Sequence, residues 1–396
     1  MLSRRQLLLS ATAPLGPDVK RELFVASPGK GTAVMASAFY TGRRGGGMMS
    51  MESRWSRSDT IDVAFLRYSG DYGRTWSKPE KMITGEKRPN GMWRKHARIG
   101  WVDPHTGRFI QFWLEGLLPT DDPLEGLREW RIHWAVSKDD PRAVRGTGLY
   151  DHKGVMLGDQ TCQPVSAADG GILLPVQIPR FGPDGNLLNP GGGYTWHDSA
   201  VLHGRWNGWN LDWRMSEVIR GDPARTTRGF IEPTLAHLGG RRWMLVLRGS
   251  NDARPQLPSW RWVSFSDDGG WKWSDPAPWT YDDGQPFYSP SACSQLLPHS
   301  SGRLYWLGNI NPENPRGNRP RYPFMAGEVD RRSGRLIRRT IKLADTLQPG
   351  EDPLLTLSNF YAREDRQSRE ICVHMTRLFA KPDGWEGDAM LYRVAP

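Results

Sequence analysis

The chain has 396 residues, a formal net charge of +10, a pI near 9.6 and a mean hydropathy of −0.60. This length exceeds what one small hydrophobic core supports, and no apolar run approaches the roughly 20 residues that a membrane-spanning helix needs. The positive charge favours an anionic partner, and because the sequence has no helix-turn-helix, zinc-finger or RNP signature, an acidic glycan is favoured over nucleic acid.

The N-terminal segment reads MLSRRQLLLSATA and is similar to a twin-arginine export signal. We therefore assign residues 1–17 to a remnant of such a signal and expect a periplasmic or secreted protein. The rest of the chain, residues 18–396, is expected to form a single domain.

Six turns rich in glycine or polar residues recur along the chain, each between an apolar stretch and a run of β-prone residues. Their centres are Gly31, Gly107, Gly170, Gly240, Gly302 and Arg369. The intervals between them are 76, 63, 70, 62 and 67 residues, which corresponds to six units of about 66 residues. We interpret each turn as the connection between the first and second strands of a unit.

Two nearly identical segments, SGDYGRTWSKP from Ser69 and SDDGGWKWSDP from Ser266, share the pattern S-x-D-x-G-x-x-W. In a tight turn Asp71 and Asp268 can accept hydrogen bonds from backbone N–H groups, while the glycine supplies a positive φ. Weaker versions stand at equivalent places in the other units, so each unit is expected to contain two hairpins. Six sheets of four antiparallel strands, repeated radially, predict an all-β fold with the architecture of a six-bladed β-propeller.

These features resemble the sialidase, or neuraminidase, superfamily, whose six-bladed propellers carry such segments, known as Asp boxes or BNR repeats. The resemblance covers nearly the whole chain. It implies an exo-acting glycoside hydrolase that removes a terminal acidic sugar such as sialic acid from glycans. In FIEPTLAHLGGRRWMLVLR, Glu232 is similar to the glutamate that polarises the family's nucleophilic tyrosine, and Arg248 to the second arginine of its carboxylate-binding triad.

The resemblance implies further roles outside that segment. Asp59, ahead of the third strand of the first unit, is similar to the acid/base aspartate of the family. Tyr361, at the start of the last unit, is the candidate nucleophile, although counting back from the turn places Asn359 nearer to that slot. Arg21 has the spacing of the first arginine of the triad, although the family's R-I-P motif is absent there, and the third arginine is Arg321 or Arg319.

Propeller geometry also selects residues without any motif, because the starts of the first strands and the ends of the second strands open on one face. Together with the residues that the resemblance implies, this gives five candidates for catalysis: Asp59, Glu232, Tyr361, His96 and His197. The residues selected for substrate binding are Arg21, Gln163, Tyr194, Arg248, Tyr288, Asn309, Arg321 and Asn359. A set rich in arginine and tyrosine suits a carboxylated sugar.

Two alternative functions stay open. Some propellers of similar build are polysaccharide lyases, which remove a proton beside the carboxylate of a uronic acid while arginine and asparagine neutralise the acid. The candidates for these lyase roles are His96, Tyr194, His197, Arg248, Asn309 and Asn359. A non-catalytic propeller that binds acidic glycans would instead tolerate the loss of Asp59 and Glu232.

No motif requires a redox cofactor or a nucleotide. The glycine-rich residues 42–47 are expected to form a loop, because no helix pattern follows them to create a phosphate site. A structural calcium ion is compatible with the sequence, but no set of ligands can be read from it. We expect a monomer with three buried free thiols, at Cys162, Cys293 and Cys372.

Overall fold

The computed structural model describes Gly16 and residues 18–382 and 384–396. Within these ranges the regular structure is almost entirely β, with 28 strands, one short α-helix and two 3-10 helices. The all-β class predicted from the sequence is confirmed. Apart from Gly16, the predicted export signal at residues 1–17 lies outside the described residues.

The strand β1 (Val19–Val25) is followed by six groups of strands along the chain. The first group contains β2 (Ala33–Tyr40), β3 (Met48–Trp55), β4 (Val63–Ser69) and β5 (Glu80–Met82). The second contains β6 (Gly85–Arg88), β7 (Gly91–Ala97), β8 (Trp101–Val102), β9 (Arg108–Leu118), β10 (Arg131–Lys138) and β11 (Gly146–Tyr150). The third contains β12 (Val165–Ser166), β13 (Ile172–Phe181), β14 (Leu187–Leu188), β15 (His197–Asn207) and β16 (Asn210–Met215).

The second half of the chain continues in the same way. The fourth group contains β17 (Ile231–Gly239), β18 (Arg242–Arg248), β19 (Arg261–Ser266) and β20 (Ala277–Pro278). The fifth contains β21 (Gln295–Pro298), β22 (Leu304–Asn309), β23 (Phe324–Asp330), β24 (Arg335–Leu336) and β25 (Lys342–Asp345). The sixth contains β26 (Phe360–Glu364), β27 (Ile371–Leu378) and β28 (Gly387–Val394). The helical segments are the 3-10 turns Pro123–Glu125 and Arg338–Thr340 and the helix α1 (Gly126–Glu129).

Successive long strands of a group pair antiparallel, as in the orders β2-β3-β4-β5 and β17-β18-β19-β20, while the short strands β8, β14 and β25 pair with β9, β13 and β23. The sixth group has only three strands of its own, and β1 supplies the fourth by pairing with β28, from Val19 opposite Val394 to Val25 opposite Ala389. The described chain therefore begins and ends in the same sheet. A single parallel pair, Ala33 with Gly387, links this sheet to the first group.

The hydrophobic core is divided into six clusters, each of which lies between two consecutive groups. Representative members, from the interface of groups one and two onwards, are Phe39 and Phe109, Phe112 and Leu174, Val201 and Leu245, Met244 and Trp306, and Phe324 and Phe360. The sixth cluster contains Ala36 of the first group and Ala389 of the last. Successive side chains of a strand point to opposite faces, so each sheet buries residues against both neighbours.

The predicted turns between first and second strands have the expected backbone. Positive φ angles occur at Gly107, Gly170, Gly240, Gly302 and Arg369. The prediction at Gly31 is wrong, because the strand before it, β1, belongs to the last sheet. The equivalent turn lies between β2 and β3, where Gly45 has a φ of 77°, so the first interval is 62 residues rather than 76.

The two S-x-D-x-G-x-x-W segments form the same turn after the third strand of their groups. Oδ1 of Asp71 accepts hydrogen bonds from Ser69 Oγ at 2.8 Å and from the Thr75 backbone N–H at 2.9 Å. Oδ1 of Asp268 accepts from Ser266 Oγ at 2.8 Å and from the Lys272 N–H at 3.0 Å. Each aspartate thus ties the turn to the end of the preceding strand.

Replacement of Asp268 by alanine is expected to lower the free energy of unfolding by about 1–3 kcal/mol, because backbone N–H groups of the turn lose their acceptor. The adjacent Asp267 is exposed, and its nearest cation is Arg242 at 3.5 Å. Asp267→Ala should therefore change stability by less than about 0.5 kcal/mol. Urea unfolding of both variants measures the difference, and equal losses would contradict a stabilising role of the turn.

Candidate functional site

A cavity of about 390 Å³ lies at the end of the sheets where the first strands begin. In five groups the cavity is lined by a residue near or just before the start of the first strand, and in the second group by His96, near the end of β7; the five are Met35, Gln160, Glu232, Cys293 and Asn359. These residues precede the turns of their groups by 8 to 11 positions. Second strands end at the same place, because Trp55, Arg248 and Leu378 also line the cavity.

Glu232 and Arg248 form an ion pair in the wall of the cavity. Nη1 of Arg248 donates to Oε1 of Glu232 at 2.5 Å, and Nε of Arg248 donates to Ser291 Oγ at 2.9 Å. A break in the pairing of β17 with β18 and a φ of 47° at Glu232 direct its side chain into the cavity. Burial alone would raise the pKa of Glu232, but the positive charge and hydrogen bond of Arg248 hold it below its usual value.

Two further arginines accompany this pair. Nη1 of Arg321 donates to Ser358 Oγ at 3.0 Å, and Nη2 of Arg228 donates to Thr195 Oγ1 at 2.7 Å. Burial, and then the charge of Arg248, lower the pKa of both guanidinium groups to about 10, so both remain charged at neutral pH. An anionic ligand would relieve the repulsion among these cations.

The charged side chains around the cavity carry an excess of positive charge. Its ionisable side chains, apart from histidine, tyrosine and cysteine, are Arg98, Arg228, Arg248, Arg319, Arg321, Asp59, Asp159 and Glu232. Five guanidinium groups therefore face three carboxyl groups. Because guanidinium groups bind carboxylates in a bidentate manner, the arrangement suits a carboxylated ligand.

The first and last groups give the cavity an apolar wall. It is formed by Met35, Trp55, Leu378, Phe379 and Trp385. The indole N–H of Trp385 donates to the Trp55 carbonyl at 2.8 Å, and the rings of Phe379 and Trp385 pack edge to face at 5.5 Å. A ligand in this cavity would thus meet aromatic and aliphatic surface from one side and arginines from the other.

The structure brings seven of the predicted site residues to this cavity: Asp59, His96, Tyr194, Glu232, Arg248, Arg321 and Asn359. Asp59 lies in the exposed loop between β3 and β4, where it accepts a hydrogen bond from Ser58 Oγ at 2.9 Å. Tyr194 is 58% exposed, and the guanidinium carbon of Arg228 lies 5.4 Å from its ring centre. These two side chains therefore mark the solvent-exposed rim.

His96 is buried in the cavity wall against Trp130, with 4.7 Å between the ring centres. Burial, followed by the charges of Arg98 and Arg94, lowers the pKa of His96 to about 3. Its imidazole is therefore neutral at physiological pH. The same low pKa makes this imidazole a weak base.

Six predicted site residues do not line the cavity. Tyr361 packs in the apolar cluster between the first two groups, edge to face with Phe39 at 6.4 Å, and burial raises its pKa to about 12. Arg21 lies on the outer strand β1, where Nη1 pairs with Asp345 at 3.2 Å. Asn309 is fully buried, and its amide braces the loop of Arg321 by donating to the Arg321 carbonyl at 3.0 Å.

The other three predicted residues that do not line the cavity are Tyr288, Gln163 and His197. Tyr288 stacks on Trp260 with 4.6 Å between parallel rings. Gln163 lies three residues beyond Gln160, which lines the cavity, and its amide donates to the Gln160 carbonyl at 2.7 Å. Both ring nitrogens of His197 are buried and have no hydrogen-bond partner among the described residues.

The cavity also contains residues that sequence reasoning did not select, notably Arg98, Asp159, Arg228 and Cys293. A corrected count would have found some of these positions, because 8 to 11 residues before the turns at Gly170 and Gly302 lead to Gln160 and Cys293. Arg98 and Asp159 fall in the same window, 9 residues before Gly107 and 11 before Gly170, whereas Arg228 carries no such signal. The three cysteines are free and buried, as predicted.

Within the described ranges, no group of three or more His, Cys, Asp or Glu side chains could hold a metal ion. The search for membrane spans found no helix of sufficient length and hydrophobicity among the same residues.

No protein-family model matches the chain, and no curated protein matches it in sequence. Solved structures do match. The Trypanosoma rangeli sialidase in complex with 2,3-difluorosialic acid, a covalent intermediate, has a TM-score of 0.61 at 12% identity over 96% of this chain and 59% of that chain. The NanB sialidase of Streptococcus pneumoniae has a TM-score of 0.62 at 12% identity over 96% and 71%.

A third match is the intramolecular trans-sialidase of Ruminococcus gnavus in complex with oseltamivir carboxylate, with a TM-score of 0.55 at 10% identity over 94% and 97%. The chain spans about three fifths of the length of the Trypanosoma rangeli enzyme. At such low identity the likeness establishes the fold alone. The sialidase-like fold expected from the sequence is therefore confirmed.

Replacement of His197 by phenylalanine is expected to weaken the loss of stability on acidification. Burial and the charges of Arg228 and Arg248 lower the pKa of His197 to about 3, whereas an unfolded chain has a histidine pKa of about 6.5. Between these values the unfolded state binds a proton that the folded state excludes, so His197 lowers stability as the pH falls below about 6.5.

The measurement is urea unfolding of the parent and His197→Phe at about pH 7 and about pH 4.5. His105→Phe, at an exposed position, is the matched control and should keep the pH dependence of the parent. If the free energy of unfolding of His197→Phe changes between the two pH values as much as that of the parent, this role of the buried imidazole is contradicted.

Proposed function

We propose that the six groups of strands are the blades of a six-bladed β-propeller and that the chain is a glycoside hydrolase that removes a terminal acidic sugar from glycans. The apolar clusters between consecutive groups, including the one between the last and the first, support a closed ring. The two aspartate-bound turns support the assignment of Asp boxes. Export to the periplasm or the medium, and a monomeric state, are part of this proposal.

The convergence of Arg228, Arg248 and Arg321 on one cavity beside Glu232 carries the proposed activity. These arginines would bind the carboxylate of the sugar through charge-assisted hydrogen bonds. Buried ion pairs such as that of Glu232 and Arg248 are a weak source of stability, which favours a functional reason for the pair. Asp59, at the exposed rim, is the proposed proton donor to the leaving oxygen.

The site differs in two positions from what the resemblance to sialidases implies. Ten residues before the turn at Gly45, where an arginine of the triad is expected, the cavity has Met35. Asn359, and not Tyr361, lines the cavity from the sixth group. Arg228 supplies a third guanidinium group from another blade, so the proposal retains carboxylate binding but does not assign a tyrosine nucleophile.

Mass spectrometry of the products tests the activity directly. The purified protein is incubated with a panel of sialylated glycans and uronate-containing polysaccharides. Hydrolysis adds one water for each bond cleaved, so free acidic sugar with that mass supports the proposal. Unsaturated fragments without the added water would establish a lyase, and binding without any product would establish a non-catalytic propeller.

Arg321→Ala is expected to lower kcat/KM for an acidic substrate by about 100-fold, which corresponds to about 2.7 kcal/mol, because a buried charged contact to the carboxylate is lost. For the amide derivative of the same substrate, which has no carboxylate, Arg321→Ala should lower kcat/KM much less. Arg316→Ala, at an exposed position of the same loop, is the control and should leave kcat/KM unchanged. An Arg321→Ala variant with normal kinetics would remove this arginine from the site.

A polysaccharide lyase is the second candidate, and the positions of His96 and Asn359 in the wall of the cavity favour it. In a lyase, His96 would accept the proton next to the uronate carboxylate while the Asn359 amide and the arginines neutralise the acid. His96→Gln should then abolish the formation of unsaturated products, whereas Asp59→Asn should leave it intact. Loss of product formation in Asp59→Asn alone would favour the hydrolase.

A further inference from the structure

The cavity contains a second carboxyl group next to Glu232, that of Asp159. The residue before it, Gly158, packs directly on Glu232: a Cβ atom at Gly158 would lie 2.7 Å from Cγ and 3.0 Å from Cα of Glu232. The backbone of Glu232 could not move away easily, so only glycine fits there. The loop that carries Asp159 is thereby held against the proposed active-site glutamate.

Hydrogen bonds fix this loop. Oε1 of Gln160 accepts from the Ile99 N–H at 2.8 Å, and Nε2 of Gln160 donates to the Ala97 carbonyl at 3.3 Å. The backbone N–H of Gln160 in turn donates to Oδ1 of Asp159 at 2.6 Å. Asp159 is therefore a preorganised carboxylate in the wall of the cavity, which is the requirement for a group that acts on a bound ligand.

The groups that face Asp159 determine its protonation. They are the carboxyl of Glu232, the guanidinium groups of Arg98, Arg248 and Arg321, and the thiols of Cys162 and Cys293. Burial, followed by the charge of Glu232, raises the pKa of Asp159 to about 6. Asp159 is thus a stronger base than an ordinary aspartate and still largely ionised at neutral pH.

The position in the cavity where the resemblance to sialidases implies a tyrosine nucleophile is not occupied by a tyrosine. The sixth group presents the Asn359 carboxamide, which can hydrogen-bond a water molecule but is not a competent nucleophile toward a sugar. Among the described residues that line the cavity, the only tyrosine is Tyr194, at the exposed rim. Water activated by a carboxylate is therefore the nucleophile that this set of side chains can supply.

We propose that Asp159 is the general base of a single-displacement hydrolysis that inverts the anomeric carbon, an inference that rests on the proposed function. The oxygen of water bonds to the anomeric carbon while the bond from that carbon to the glycosidic oxygen breaks. Asp159 accepts one proton from the water, and Asp59 gives one proton to the leaving oxygen. Solvent then takes the proton from Asp159 and restores that of Asp59, so the net change is the addition of water.

Proton NMR of the first product, recorded before the free sugar equilibrates, tests the stereochemistry. Inversion is expected for an acidic glycan that the wild-type protein hydrolyses. Hydrolysis with retention would overturn the role of Asp159 and leave the proposed function intact. Failure to hydrolyse any acidic glycan would overturn both, so the two failures are distinguishable.

Asp159→Asn is expected to lower kcat by about 1,000-fold, since it removes the base, while substrate affinity measured by calorimetry changes less than about threefold, under 1 kcal/mol. Asp151→Asn, at an exposed aspartate eight residues earlier, is the matched control and should retain wild-type kcat. In Asp159→Ala, added azide should restore turnover by attacking in place of water. Normal kcat in Asp159→Asn, or no rescue of a folded Asp159→Ala, would overturn the proposal.

Carboxyl NMR of the wild-type protein provides a readout that needs neither turnover nor a variant of Asp159. The Asp159 carboxyl should titrate well above ordinary aspartates, and Glu232→Gln should lower its pKa because a neighbouring negative charge is removed. A resonance that titrates like an exposed aspartate and does not respond to Glu232→Gln would overturn the coupling of the two carboxyl groups.

Discussion

The antiparallel pairing of β1 with β28 joins the two ends of the described chain in one sheet. Without β1 the last sheet would have three strands and an open edge. Val19 of β1 also packs in the apolar cluster between the fifth and sixth groups. Each sheet is apolar on both faces, and each face must be covered by a neighbouring sheet. The packing of the last sheet against its neighbours therefore depends on the pairing of β1 with β28, which joins distant parts of the chain.

The arrangement of the sheets brings charged side chains together at the cavity. Glu232 reaches the cavity because the ladder of β17 and β18 is interrupted beside it, and Arg248 reaches the same point from the end of the second strand. Buried ion pairs add little to the stability of a fold, and an unpaired buried charge lowers it. Five arginines around three carboxyl groups leave a net positive charge on one side of the cavity, and the opposite wall is apolar.

Sequence reasoning succeeded where the physical cause is local. The turns at Gly107, Gly170, Gly240 and Gly302 were predictable because a positive φ favours glycine wherever a hairpin needs it. The turn at Gly31 was misassigned, since the strand before it pairs with a strand more than 360 residues away. Asp159 falls within the spacing that leads from the turn at Gly170 to the cavity, but its importance comes from the contact of Gly158 with Glu232, which the sequence does not record.

By itself, the sequence determined the class of fold, the period of its units and the chemistry available to a site, because turn residues and strand alternation act over a few positions. Only the tertiary structure decided which side chains meet. Asn359 and Tyr361 are two residues apart, yet Asn359 lines the cavity and Tyr361 is buried between sheets beside Phe39. The physical reason is depth along the strand: a residue at the open end of the strand faces the cavity, whereas one two positions further on is covered by apolar side chains of the neighbouring sheet.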